Sequence, residues 1–148
     1  MYKHIMLPFN GSEPSQRAEK ECIALAQSIG ARVTVLHVIR HRRLMVEEEQ
    51  LTDLIQDLER DYDVGAKRSA WSMLAEVEKC ARARGVECHS LVVFGEEPHR
   101  EILNNAVSRD CDLVVMATRK RRILQGIVSR SETDRVLTHS TIPVLVVD

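Results

Sequence analysis

Two basic runs and one short loop carry most of the residues that could do chemistry. Arg40-His41-Arg42-Arg43 and Arg119-Lys120-Arg121-Arg122 each follow an apolar, β-branched stretch. Guanidinium and ammonium groups grouped this way can hold phosphate or carboxylate. The opposing reading is a solvated loop charge, neutralised by Glu47-Glu48-Glu49 nearby, and a charge run more often does this. The loop Asn10-Gly11-Ser12 closes the first apolar run and offers an amide and a hydroxyl. Cys22, Cys80, Cys88 and Cys111 lack C-x-x-C spacing and histidine partners, so they read as small reduced core residues rather than a zinc or redox centre. No nucleophile stands beside a base at motif spacing, and no metal seat is visible; the chain reads as a non-enzyme.

Those runs and loops need elements to hold them. His4–Phe9, Arg32–Ile39, Val86–Phe94, Asp112–Thr118 and Val144–Val147 read as strands, apolar on both faces as strands under two helical layers are. Between the first two, Ala18, Cys22, Leu25, Ala26 and Ile29 share one helical face, with Ser12 or Ser15 as cap, Pro14 in the first turn and Gly30 as the stop. Leu51, Leu54, Ile55 and Leu58 form a short stripe. After Gly65 a second, longer stripe of Ala70, Leu74, Val77 and Ala81 ends before Gly85. A helix enters at Gly95-Glu96-Glu97-Pro98 and buries Ile102, Leu103, Ala106 and Val107; a last one runs from Ser131 or Glu132 to His139. His37 reads as a packed core histidine, His99 as exposed, His139 as a helix C-terminal cap and Trp71 as a packing residue.

Alternating strands and helices imply a doubly wound, open parallel α/β sheet with helices on both faces, and 148 residues suit a single domain, 1–148. Acids (22) and bases (21) nearly cancel, which gives no argument for a nucleic-acid partner. No apolar run approaches the roughly 20 residues of a membrane span and no leader pattern opens the chain; a cytoplasmic location is expected. In such sheets the ligand crevice lies beyond the carboxyl ends of the strands. Residues 9–12, 38–43 and 117–131 should therefore line it. No aspartate cluster of a phosphoacceptor follows the first and third strands. The P-loop, the dinucleotide fingerprint, the nucleophile elbow and the H-E-x-x-H motif are all missing.

At these positions the chain resembles the universal stress protein family, along essentially its whole length. Asn10-Gly11-Ser12-Glu13-Pro14-Ser15 is similar to the family's D-G-S-x-x-S turn. Gly30-Ala31 leading to Leu36-His37-Val38, Gly95-Glu96-Glu97-Pro98 before Glu101-Ile102-Leu103, and Cys111 to Met116 match in order and spacing. The ending, Asp134-Arg135-Val136-Leu137 through Ile142-Pro143 and Val144 to Val147, is the most specific part. The resemblance implies strand order 3-2-1-4-5, a homodimer in which the terminal strands Val144, Leu145, Val146 and Val147 meet, and a part in stress survival.

Nucleotide-binding members of the family carry G-x-x-G, nine residues, then G-[ST] after the fourth strand. Glycines let the backbone approach phosphate, and the final hydroxyl residue opens a helix whose amides favour anions. In this chain the three glycine positions are Ala117, Lys120 and Arg130; Ser131 is retained, and Asn10 replaces the acid of the first turn. The cleft, lined by Pro8, Asn10, Val38, Met116, Ala117, Arg119, Lys120, Arg130 and Ser131, is expected to be vestigial, with no resident cofactor. A basic rim made of the two runs could still hold an anion by side-chain charge. The expected function is a dimeric, non-enzymatic stress-response module that binds proteins. An ATP or AMP switch, or slow ATPase, using the basic residues is the alternative. A regulatory subunit for one dedicated partner is a third, and would expose an apolar patch on the Leu51–Leu58 helix.

Overall fold

The computed structural model describes residues 1–41, 52–118 and 131–148. Five strands, β1 (His4–Pro8), β2 (Arg32–Ile39), β3 (Cys88–Phe94), β4 (Leu113–Ala117) and β5 (Val144–Val147), alternate with four helices. These are α1 (Glu13–Ile29), α2 (Thr52–Ala83), α3 (Pro98–Ser108) and α4 (Glu132–His139). The strands form one sheet in the order β3-β2-β1-β4-β5, every pair parallel. This is the doubly wound α/β sheet expected.

Period-2 alternation distributes each strand's side chains between two cores. Ile5, Leu7, Val33, Val35, Leu113 and Val115 pack with Ala18, Cys22 and Ala26 of α1 and with Leu74, Val77 and Ala81 of α2. Met6, Leu36, Val114 and Met116 point the other way, onto Ile102 and Ala106 of α3 and Val136 of α4. Residues one apart in a strand therefore belong to different layers, so the inner strands carry apolar residues on both faces. Gly30 ends α1 at φ 72, in the left-handed region that penalises a Cβ.

The amino edge of the sheet is tied by polar groups. Asp112, just before β4, accepts hydrogen bonds from the main-chain N–H of Lys3 (2.9 Å) and of His4 (3.0 Å). His4 is buried; its Nδ1–H donates to the Arg109 carbonyl at 3.0 Å, so in the neutral ring Nε2 accepts the Thr34 hydroxyl at 2.7 Å. Desolvation, and then the Arg32 cation, push the His4 pKa below its ordinary value, which favours that neutral form.

The structure departs from the sequence expectations in several places. Residues 52–83 form one continuous helix of 32 residues, not two stripes broken at Gly65. A Cβ at Gly65 would meet nothing within 4 Å, and its φ is not positive, so this glycine only lowers helix propensity. Gly65→Ala should raise the urea-unfolding free energy by about 0.5–1 kcal/mol; no gain would mean that this part of α2 is uncoupled from global unfolding. Trp71, expected to pack, is 42% exposed. Val107, expected on the buried face of α3, is also exposed, because α3 buries only Ile102 and Ala106. Cys80 lies exposed on α2, whereas Cys22, Cys88 and Cys111 are buried. Burial pushes the Cys22 and Cys88 thiols up to about 12 and Cys111 to about 11, far from reactive thiolates.

Candidate functional site

β1 lies between β2 and β4, and the crossover helices after β1 and β4, α1 and α4, pack on opposite faces. The carboxyl ends of β1 and β4 therefore form the switch point where sheets of this kind hold ligands. Pro8 ends β1 opposite Leu36, two residues before Val38; extending the Met6–Val114 register places Met116 level with Pro8. Pro8, Val38, Met116 and Ala117 are thus brought to one edge. Asn10 lies just beyond it, exposed. Its Oδ1 accepts the Ser12 N–H at 3.0 Å, which shapes the turn that Gly11 makes at φ 78. A Cβ on Gly11 would come within 3.1 Å of Met73 Sδ, which a small shift of that side chain relieves, so it is the positive φ that favours glycine here. Arg119, Lys120 and Arg130 lie outside the described residues, as do Arg42, Arg43 and Arg121-Arg122 of the expected rim.

Ser131 is the N-cap of α4. Its hydroxyl accepts the Asp134 N–H at 3.2 Å, while its own N–H donates to Asp134 Oδ2 at 3.2 Å, a reciprocal capping box. Thr133 Oγ1 donates to the Ala117 carbonyl at 3.0 Å and fastens the first turn of α4 to the end of β4. Arg17 of α1 donates to the Thr118 carbonyl at 2.9 Å and pairs with Glu13 at 2.7 Å.

The residue that sequence reasoning missed is Glu132. Its carboxylate accepts the His99 main-chain N–H at 3.0 Å and lies 3.4 Å from His99 Nδ1, 3.0 Å from Arg135 and 3.7 Å from Arg40. It therefore links α3, α4 and the end of β2. The only signal available in the sequence was an acid directly after a capping serine, which usually means dipole compensation alone. This network also explains His99. Expected to be exposed, its side chain is 14% exposed because Glu132 draws it in and the His139 ring lies 5.6 Å away. His139 donates from Nδ1 to the Arg135 carbonyl at 2.9 Å, the C-terminal capping expected of it. His37 is half-buried and bonded through Nδ1 to the Phe9 carbonyl at 2.8 Å, as a core histidine should be.

Of the two basic runs, the described part is Arg40 and His41. Arg40 faces Glu132, and His41 stacks on Phe94 at 4.6 Å while its Nδ1 meets Asp63 of α2 at 3.0 Å. Both are therefore turned toward acids of this chain. Among the described residues, no group of three or more His, Cys, Asp or Glu is placed to hold a metal. No helix among them is long and apolar enough to cross a membrane.

A five-stranded parallel sheet of this order, with its crevice at the β1/β4 switch point, belongs to the class of small doubly wound nucleotide-binding-type domains. The universal stress protein family model matches residues 1–148, and the chain belongs to that family. Universal stress protein MJ0531 of Methanocaldococcus jannaschii is 31% identical over 148 residues, covering 99% of this chain and 82% of the relative. The solved structure of MJ0577 from the same organism superposes with a TM-score of 0.79 at 27% identity, covering 99% of this chain and 96% of that one. A universal stress protein solved in complex with cAMP shares the fold, with a TM-score of 0.71 at 19% identity over 99% of this chain and 96% of its own.

Proposed function

We propose that this universal stress protein is a dimeric, non-enzymatic binding module without the family's main-chain grip on ATP. The observation that carries the reading is the state of the α4 N-terminus. Both hydrogen-bonding groups of Ser131 serve the helix's own cap, and Glu132 and Asp134 already stand in its first turn. A phosphate arriving there competes with intramolecular carboxylates. The side chains at Ala117, Lys120 and Arg130 replace the glycines that would let main-chain amides take over. The dimer reading draws support from β5, an edge strand with Leu145 exposed and Leu137 exposed on the adjacent α4. Family membership supports the further reading of a role in stress survival, in the cytoplasm.

Calorimetric titration with ATP tests the grip. The wild-type chain should show no saturable binding, and the triple variant Ala117→Gly, Lys120→Gly, Arg130→Gly should gain affinity by about tenfold or more. Saturable binding by wild type, no weaker than by the triple variant, would overturn the reading.

The second reading is an adenine-nucleotide switch or slow ATPase that uses basic side chains. The universal stress protein solved in complex with cAMP favours it, since a protein of this fold holds a cyclic adenine nucleotide. It requires Arg40 to exchange Glu132 for a phosphate, and nucleotide turnover in the same titrations would select it.

A further inference from the structure

The outward face of α2's amino-terminal half has no role in the crevice or the cores. α2 is 32 residues long, about 48 Å, whereas β2 and β3, with 8 and 7 residues, span only about 25 Å. Its buried residues are Ala70, Leu74, Val77 and Ala81; from Thr52 to Ser69 none is buried. Ile55, Glu59, Asp63 and Ala66 are half-buried at helical spacing and form the inner side of this projecting half, where Asp63 meets His41.

The outer side is apolar where solvent predicts polar residues. Leu54 (56% exposed), Leu58 (49%) and Tyr62 (43%) recur at i, i+4 and i+8 along one side of the helix, whereas Val64 and Trp71, also exposed, lie on its other side. Leu54, Leu58 and Tyr62 fall on one stripe within about two turns and so form a contiguous strip rather than scattered singles. Beside the stripe, one position earlier and so about 100° around the axis, run Asp53, Asp57 and Asp61, all exposed. Residues 52–66 hold five acids against one base, Arg60.

We infer that this face docks a basic amphipathic helix of a partner protein, whose apolar stripe covers Leu54, Leu58 and Tyr62 and whose flanking lysines or arginines meet Asp57 and Asp61. The inference rests on the binding-module reading and names the class of partner. The charge selects the occupant. A second copy would bring the same acidic stripe against its twin, and an anionic membrane surface would repel it, whereas a basic flank is attracted and steered. The apolar stripe supplies the contact area.

The probe is a synthetic peptide of about 18 residues, with leucines at helical spacing and lysines on both flanks, titrated by fluorescence anisotropy against the full chain. Wild type should bind it saturably. Leu54→Gln with Leu58→Gln, and separately Asp57→Asn with Asp61→Asn, should each weaken binding about tenfold, and added salt should weaken it further. A matched peptide with glutamates for lysines should not bind. All four positions are exposed, so the variants should keep the wild-type melting temperature. The inference is overturned if either double variant binds as wild type does, or if the glutamate peptide binds equally. It is also overturned if the leucine variant lowers the sedimentation mass, which would make the patch an interface between copies. These outcomes leave the ATP titration untouched, and ATP turnover would refute the binding-module reading without changing the peptide result.

Discussion

Leu74→Ala is expected to lower the unfolding free energy by about 2–5 kcal/mol, while Leu58→Ala, one chemistry on one helix, should change it by less than about 0.5 kcal/mol. Leu74 has no exposed surface and fits among Ile5, Leu7, Val33 and Val35 and the inward face of α1. Truncation there removes contacts and leaves a cavity that the surrounding strands, fixed by the parallel ladder, can only partly close. Leu58 is half exposed and has little burial to lose. Urea unfolding of the two variants measures both values. Equal losses would mean that the projecting half of α2 is packed as firmly as the other, and would remove the basis for a docking face there.

The second large effect lies at the opposite edge of the sheet. Asp112→Ala should cost about 0.5–1.5 kcal/mol at neutral pH, because the main-chain N–H groups of Lys3 and His4 lose their shared carboxylate and are left to water. Those donors hold the start of β1 against the start of β4, where the register has few pairs of its own. Desolvation pulls the Asp112 pKa up, but the hydrogen bonds from His4 and Lys3 outweigh it and hold the carboxyl below its ordinary value. A depressed carboxyl contributes stability above its unfolded pKa, near 3.8, and loses it as the pH falls through the folded value. The gap between wild type and Asp112→Ala in urea titrations should thus be full near neutrality and close only under strong acid. A gap that persists unchanged at low pH would assign Asp112 a packing role instead.

Much of the architecture was legible from residue pattern because the inner strands β1, β2 and β4 are buried on both faces and each helix on one. Val33 to Ile39 is apolar except for Thr34 and His37, Leu113 to Ala117 is a continuous apolar run, and α1 shows its stripe and its Gly30 stop without reference to anything distant. The order of the strands was not written in that pattern; it came from likeness to a family, and the register pairs bear it out. Gly65 misled because propensity is local, whereas α2 is held through that point by contacts on both sides of it, Asp63 with His41 before and Ala70 in the core after.

For the crevice, the chain alone determined which residue types are present: Asn10 where the family has an acid, Ala117, Lys120 and Arg130 where it has glycines, and a capping serine at 131. Only the tertiary structure decided who meets whom. Glu132 gathers Arg40 from just beyond β2 and His99 from α3, 92 and 33 positions away along the chain, and partly buries a histidine that local rules place in water. Capping boxes and turns are made by neighbours in sequence, so residue spacing predicts them. A carboxylate's choice among distant cations depends on strand order and layer geometry, which bring residues together only once the sheet has formed.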